Sequence, residues 1–101
     1  MKHNQRVGKW GEDSAVEYLM QKGCGILAKN IRTSYGEIDI IGKQGDTTLF
    51  VEVKTRTSNT MGLSEESITS RKRQHMIARA GHYAAEKEIN HWQIDVISIE
   101  G

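Results

Sequence analysis

The chain has 101 residues, a formal net charge of +1, and 37% hydrophobic against 27% charged residues, a balance that suits one compact domain, 1–101, and excludes a disordered or low-complexity polymer. No apolar run approaches the ~20 residues that span a bilayer, and Met1 to Trp10 is polar and basic with no signal-like apolar centre, so a cytoplasmic protein without a membrane partner is expected. The single cysteine, Cys24, excludes an internal disulfide, and between Gly23 and Gly25 it has no metal-ligand spacing.

Taken in chain order, Val7, Gly11, Ala15, Tyr18 and Leu19 recur at helical spacing, and the pattern predicts a first helix from about Val7 to Lys22, ended by Gly23-Cys24-Gly25. Ile26 to Arg32 reads as a first strand. Ile38 to Lys43 and Thr48 to Arg56 read as two half-buried strands joined by the hairpin-length stretch Gln44 to Thr47. Thr57 to Ser67, rich in Ser, Thr, Asn, Gly and Glu, is the one long loop. Ser70 is a suitable N-cap, and Met76, Ala80, Tyr83 and Ala84 mark a second helix ending near Lys87. His91 to Ile99 closes the chain as a strand. The expected order is α-β-β-β-α-β, an α/β fold with a mixed sheet flanked by helices.

The central hairpin carries the chemistry. A four-residue connection pairs Lys43 with Thr48, Ile41 with Phe50 and Asp39 with Glu52, leaving Ile38, Ile40, Leu49, Val51 and Val53 on the opposite, wholly aliphatic face. A one-residue slip would mix Glu52 and Lys54 with the isoleucines. In this register two carboxylates face each other, and two charges ~5 Å apart repel by about 3 kcal/mol at an effective dielectric near 20. Lys54, on the same face two residues beyond Glu52, can offset one of them. The other is then available to a hard divalent cation, Mg²⁺ or Mn²⁺, which binds one or two carboxylates together with water and a substrate phosphate. The same three residues could instead form a solvated charge cluster on an amphipathic sheet. Glu37, just before the strand, reads as a turn residue in preference to a further acidic group at the site edge.

Charge is unevenly distributed. Ile68 to Ala85 holds Arg71, Lys72, Arg73 and Arg79 with His75 and His82 and no acidic residue, a positive stripe that is either a solvated helix face or a phosphate-binding one. The histidines lie seven apart without a further zinc ligand at suitable spacing. Asp95, in the last strand, reads as structural.

Gly36-Glu37-Ile38-Asp39-Ile40-Ile41, followed by Phe50-Val51-Glu52-Val53-Lys54-Thr55-Arg56, resembles the YraN-like family of small bacterial proteins. The likeness extends from Gly8-Lys9-Trp10-Gly11-Glu12 through Asn30-Ile31-Arg32 to Lys72 and Ala80 to Tyr83. The resemblance implies a restriction-endonuclease-like PD-(D/E)-x-K nuclease fold related to archaeal Holliday junction resolvases. Ile38 stands where the signature has proline, a position without chemistry. By the same resemblance, Asp39 and Glu52 are metal ligands, Lys54 is the catalytic lysine, and Glu12 is an additional metal ligand or organiser. Glu12 also reads as an ordinary first-turn glutamate.

A phosphodiester substrate would be contacted by Arg56, Arg71, Lys72 and Arg73, with Lys29 and Arg32 as a second tier. Such contacts position a backbone without reading sequence, so structured nucleic acid is the expected partner, DNA of the junction or repair kind by analogy. A symmetric junction would favour a homodimer. Two other readings stay open: a non-catalytic nucleic-acid-binding module, and a module dependent on a partner.

Overall fold

The computed structural model describes residues 2–56 and 70–100. Its elements are α1 (Lys2–Gln21), β1 (Gly25–Thr33), β2 (Gly36–Gln44), β3 (Thr47–Arg56), α2 (Ser70–Glu86) and β4 (Trp92–Glu100). The order is the expected one. α1 begins five residues before the expected Val7. The loop expected over Thr57 to Ser67 lies outside the described residues.

The strands form one mixed sheet in the order β1-β2-β3-β4, with β1-β2 and β2-β3 antiparallel and β3-β4 parallel. A parallel return requires a crossover, and α2 supplies it. The sheet is covered on both faces. Ala15 and Leu19 of α1 pack on Ile40, Leu49 and Val51. Ala80 and Ala84 of α2 pack on Ile38, Ile41 and Phe50 on the other face, where Phe50 meets Tyr83 and Trp92 edge-on at 5.8 and 5.6 Å. This is a mixed α/β architecture consistent with a restriction-endonuclease-like core.

Both helices end in the same backbone motif. In α1 the Cys24 N–H donates to the Leu19 carbonyl and the Gly23 N–H to that of Met20, both at 3.0 Å, with Gly23 at a φ of 88°. In α2 the Ile89 N–H donates to Ala84 (2.8 Å) and the Glu88 N–H to Ala85 (3.3 Å). Each motif also joins apolar residues of one core cluster, Cys24 with Leu19 and Ile89 with Ala84. The left-handed position is glycine in α1, but in α2 it is Glu88, at a φ of 56°.

The hairpin register holds at Lys43↔Thr48 and Ile41↔Phe50 and extends to Gln44↔Thr47, leaving only Gly45 and Asp46 in the turn. The expected placement of Ile38 is corrected. Ile38 shares a cluster with Ile41, three positions away, whereas Ile40 faces α1. Strict alternation therefore fails at Asp39. The neighbouring strand is irregular at the same level, where Asn30 adopts a φ of 52° between the pairs Lys29↔Ile40 and Ile31↔Ile38. Asparagine tolerates that conformation better than most residues.

Left-handed backbone costs an ordinary L-residue ~1–2 kcal/mol, partly balanced by the greater freedom of glycine in the unfolded chain. Glu88→Gly is therefore expected to raise stability by up to about 1 kcal/mol in urea denaturation, with the m-value unchanged. A loss of stability would show that the Glu88 side chain outweighs the strain.

Candidate active site

Asp39 lies where the sheet opens. The β2-β3 ladder ends at Ile40↔Val51, one step before the anticipated Asp39-Glu52 pair. Beyond it a side chain replaces the backbone: the Val53 N–H donates to Asp39 Oδ2 at 2.8 Å. The two carboxylates still influence each other electrostatically. They meet at a splayed end of the strand pair, not across a regular ladder.

Glu52 faces α2 and lines a shallow cleft with Glu37, Phe50, Met76 and Arg79. Its Oε1 lies 3.5 Å from Arg79 Nη1, with the two side chains 22% and 23% exposed. Arg79 also donates from Nε to the Tyr35 carbonyl (3.1 Å) and from Nη1 to the Glu37 carbonyl (3.4 Å). One guanidinium thus ties the β1-β2 turn to Glu52. Gly36 makes the approach feasible: a Cβ there would stand 2.7 Å from Arg79 Nε, and its φ of 122° disfavours any side chain.

All three acidic candidates are pushed above the ordinary carboxylate range. Burial is the main cause for Asp39, opposed by the Val53 N–H, with Glu37 raising it and Arg79 and Lys54 lowering it. Burial again leads for Glu52, followed by the Asp39 charge, against Arg79 and Lys54. Glu12 is raised by burial, and then by Asp39 and Glu37, against its hydrogen bond from Asn30 Nδ2 (3.3 Å) and the Lys29 charge. Gly11, beside Glu12, lets α1 close onto β3, since a Cβ there would run into the Thr55 side chain. Among the described residues no three Asp, Glu, His or Cys side chains converge as a ready metal-ligand group. The fit to a divalent cation rests on Asp39 and Glu52, two half-buried carboxylates whose ionisation is opposed by burial and by repulsion from neighbouring carboxylates, both of which a cation would relieve.

Asp39, Glu52 and Lys54 belong to one electrostatic cluster, and Glu12 adjoins it through Asp39. Glu37 is corrected from a turn residue to the second residue of β2, paired with Arg32, and its charge acts on all three carboxylates. Arg71, Lys72 and Arg73 are exposed in the first turns of α2, roughly 9–12 Å along the helix from Arg79 at 1.5 Å per residue. Arg56 is the last residue of β3. By sequence Arg79 is one member of the basic stripe. Its signal was its phase, three residues after Met76 and four before Tyr83, on the apolar side of the helix. Asn30 carried no comparable signal.

Fold and site together define a mixed α/β protein with an acidic-lysine centre at the open end of its sheet. Residues 11–99 match the Uncharacterised protein family UPF0102, and the chain belongs to that family. Similar relatives include a UPF0102 protein of Clostridioides difficile, 42% identical over 99 residues, covering 96% of this chain and 87% of the relative. One from Desulfitobacterium hafniense strain Y51 is 39% identical over 100 residues, covering 96% and 83%. One from Dictyoglomus turgidum is 39% identical over 99 residues, covering 96% and 84%. No described helix is long and apolar enough to cross a membrane.

A carboxyl whose pKa is higher in the folded than in the unfolded chain contributes stability at low pH that is lost as pH rises through the folded value. For Glu52 the loss begins near the ordinary 4.5 and ends above the raised native value. Relative to Glu52→Gln, the parent should therefore lose stability as pH rises from the ordinary 4.5 through the raised native value. Urea denaturation at successive pH values measures the difference, and a parent that gains on the variant over that window would contradict the burial argument.

Proposed function

We propose that this protein is a divalent-cation-dependent nuclease that hydrolyses phosphodiester bonds in structured DNA of the junction or repair kind. The observation that carries the reading is the pair Asp39 and Glu52, half-buried and raised in pKa, with Lys54 and Arg79 as the cations acting on both. A merely solvated cluster would leave these carboxylates in water, where ionisation costs little. A pure nucleic-acid binder gains nothing from acidic groups facing phosphate.

Asp39 and Glu52 would hold Mg²⁺ or Mn²⁺, and Glu12 would organise the acidic side of the centre through its charge and its bond to Asn30. Bound there, the cation supplies polarisation of the phosphate and a lowered pKa for the attacking water. Val53, through its N–H, keeps Asp39 oriented. Lys54 orients the water or stabilises charge developing on the phosphate. Arg79 holds the Glu52 carboxylate while tying its position to the β1-β2 turn. Arg56, Arg71, Lys72 and Arg73 are assigned to the flanking phosphates, where they bind without reading sequence.

The test is cleavage of labelled single-stranded, duplex, flap and four-way-junction DNA, with an RNA control, in Mg²⁺, Mn²⁺ or EDTA. Metal-dependent cutting is expected, abolished by Asp39→Asn and reduced about 10²- to 10⁴-fold by Lys54→Ala, the range for a group that manages a proton in the transition state. Intact DNA in every metal, with binding unaffected by either substitution, would make the chain a binding module. Arg79→Lys separates positioning from folding: a loss of about 10- to 100-fold in kcat is expected, with the thermal midpoint nearly unchanged.

A further inference from the structure

Tyr35, in the turn between β1 and β2, is 56% exposed. Its backbone is nevertheless held on several sides. Its carbonyl accepts from Arg79 Nε at 3.1 Å, and its N–H donates to the Thr33 hydroxyl at 3.0 Å. That hydroxyl in turn donates to the Gly36 carbonyl at 2.7 Å. Its ring meets the His82 ring edge-on, with centroids 5.3 Å apart and planes at 69°. The residue is therefore exposed, its backbone is held by the same arginine that contacts Glu52, and its ring rests against His82.

A second groove lies between the end of β1 and the second half of α2. Arg32, Ser34, His82 and Lys87 contribute its polar lining. Lys87 lies over the Tyr83 ring at 5.7 Å. Glu86 is the acidic group lining it, and it reaches His82 at 3.7 Å. Arg79 lies on α2 between this groove and the first-turn basic residues, so cleft and groove adjoin along one helix.

We propose that Tyr35, backed by His82, is a stacking platform for an unpaired nucleobase, and that Arg32 and Lys87 take the phosphates adjoining it. The inference rests on the reading of the carboxylate centre as a phosphodiester site and adds a preference to it. A fixed exposed aromatic beside a cationic groove matches what a single strand offers, a free base face and a charged backbone; in a duplex the base faces are already stacked. The site thus favours substrates whose strand is unpaired next to the scissile bond.

The experiment measures binding of a single-stranded DNA carrying 2-aminopurine, its duplex form and the RNA of the same sequence. In the binding arm every protein chain carries Asp39→Asn, in Mg²⁺, so that no strand is cut; a cleavage arm compares the parent chain with Tyr35→Ala on the same DNA. Tyr35→Ala is expected to weaken single-strand binding about 5- to 150-fold and to remove the fluorescence quenching, while duplex binding stays within about twofold. Tyr35→Phe should retain both. Equal binding by Tyr35→Ala, or an equal loss for single strand and duplex, overturns the platform. Cleavage by the parent chain with no dependence on Tyr35 overturns the platform alone. Tyr35-dependent quenching with no cleavage by the parent overturns the nuclease reading alone, and no binding to any of the three nucleic acids overturns both.

Discussion

The site is organised by the bond from the Val53 N–H to the Asp39 carboxylate, formed where the β2-β3 ladder ends. A regular ladder would have supplied a backbone carbonyl to Val53. With a side chain in that role, the strands can part without leaving the amide unsatisfied, and unsatisfied buried amides are costly. The opening is not confined to one strand pair. Asn30 is left-handed at the same level of β1, and Ile38 turns towards α2 while Ile40 remains against α1. The acidic centre is thus built into the irregular end of the sheet.

Closure of the centre comes from the two helices, each held by the core at some distance from the carboxylates. α1 brings Glu12 beside Asn30 because Gly11 lets it close onto Thr55. α2 brings Arg79 beneath the β1-β2 turn because Ala80 and Ala84 seat the helix on Ile38, Ile41 and Phe50. Small residues at both contacts set how near a charged neighbour comes to the carboxylates. Ile38, immediately before Asp39, is 5% exposed and packs under α2.

The centre works against the fold that carries it. Burial raises Glu12, Asp39 and Glu52 alike, and repulsion among the carboxylates adds to it. Arg79 and Lys54 recover part of that energy for Asp39 and Glu52. A domain with typical stability of ~5–15 kcal/mol retains such a cluster only if the rest of its core is sound. The two aliphatic and aromatic layers around β2 and β3 meet that need, with Ile40, Ile41 and Val51 almost wholly enclosed.

The sequence by itself determined the element order, the hairpin register at Ile41 and Phe50, the mixed α/β class and the nearness of Asp39, Glu52 and Lys54 as charged neighbours. These follow from local signals, since apolar period, glycine punctuation and strand alternation act over a few residues. Tertiary structure alone decided that alternation breaks at Asp39, that Glu37 acts on the carboxylates, and that Arg79 ties Glu52 to the Tyr35 turn. Arg79 and Tyr35 are 44 positions apart, and Asn30 and Glu12 are 18 apart. Such contacts depend on how two helices settle on opposite faces of a sheet. No periodicity within either segment encodes that distance.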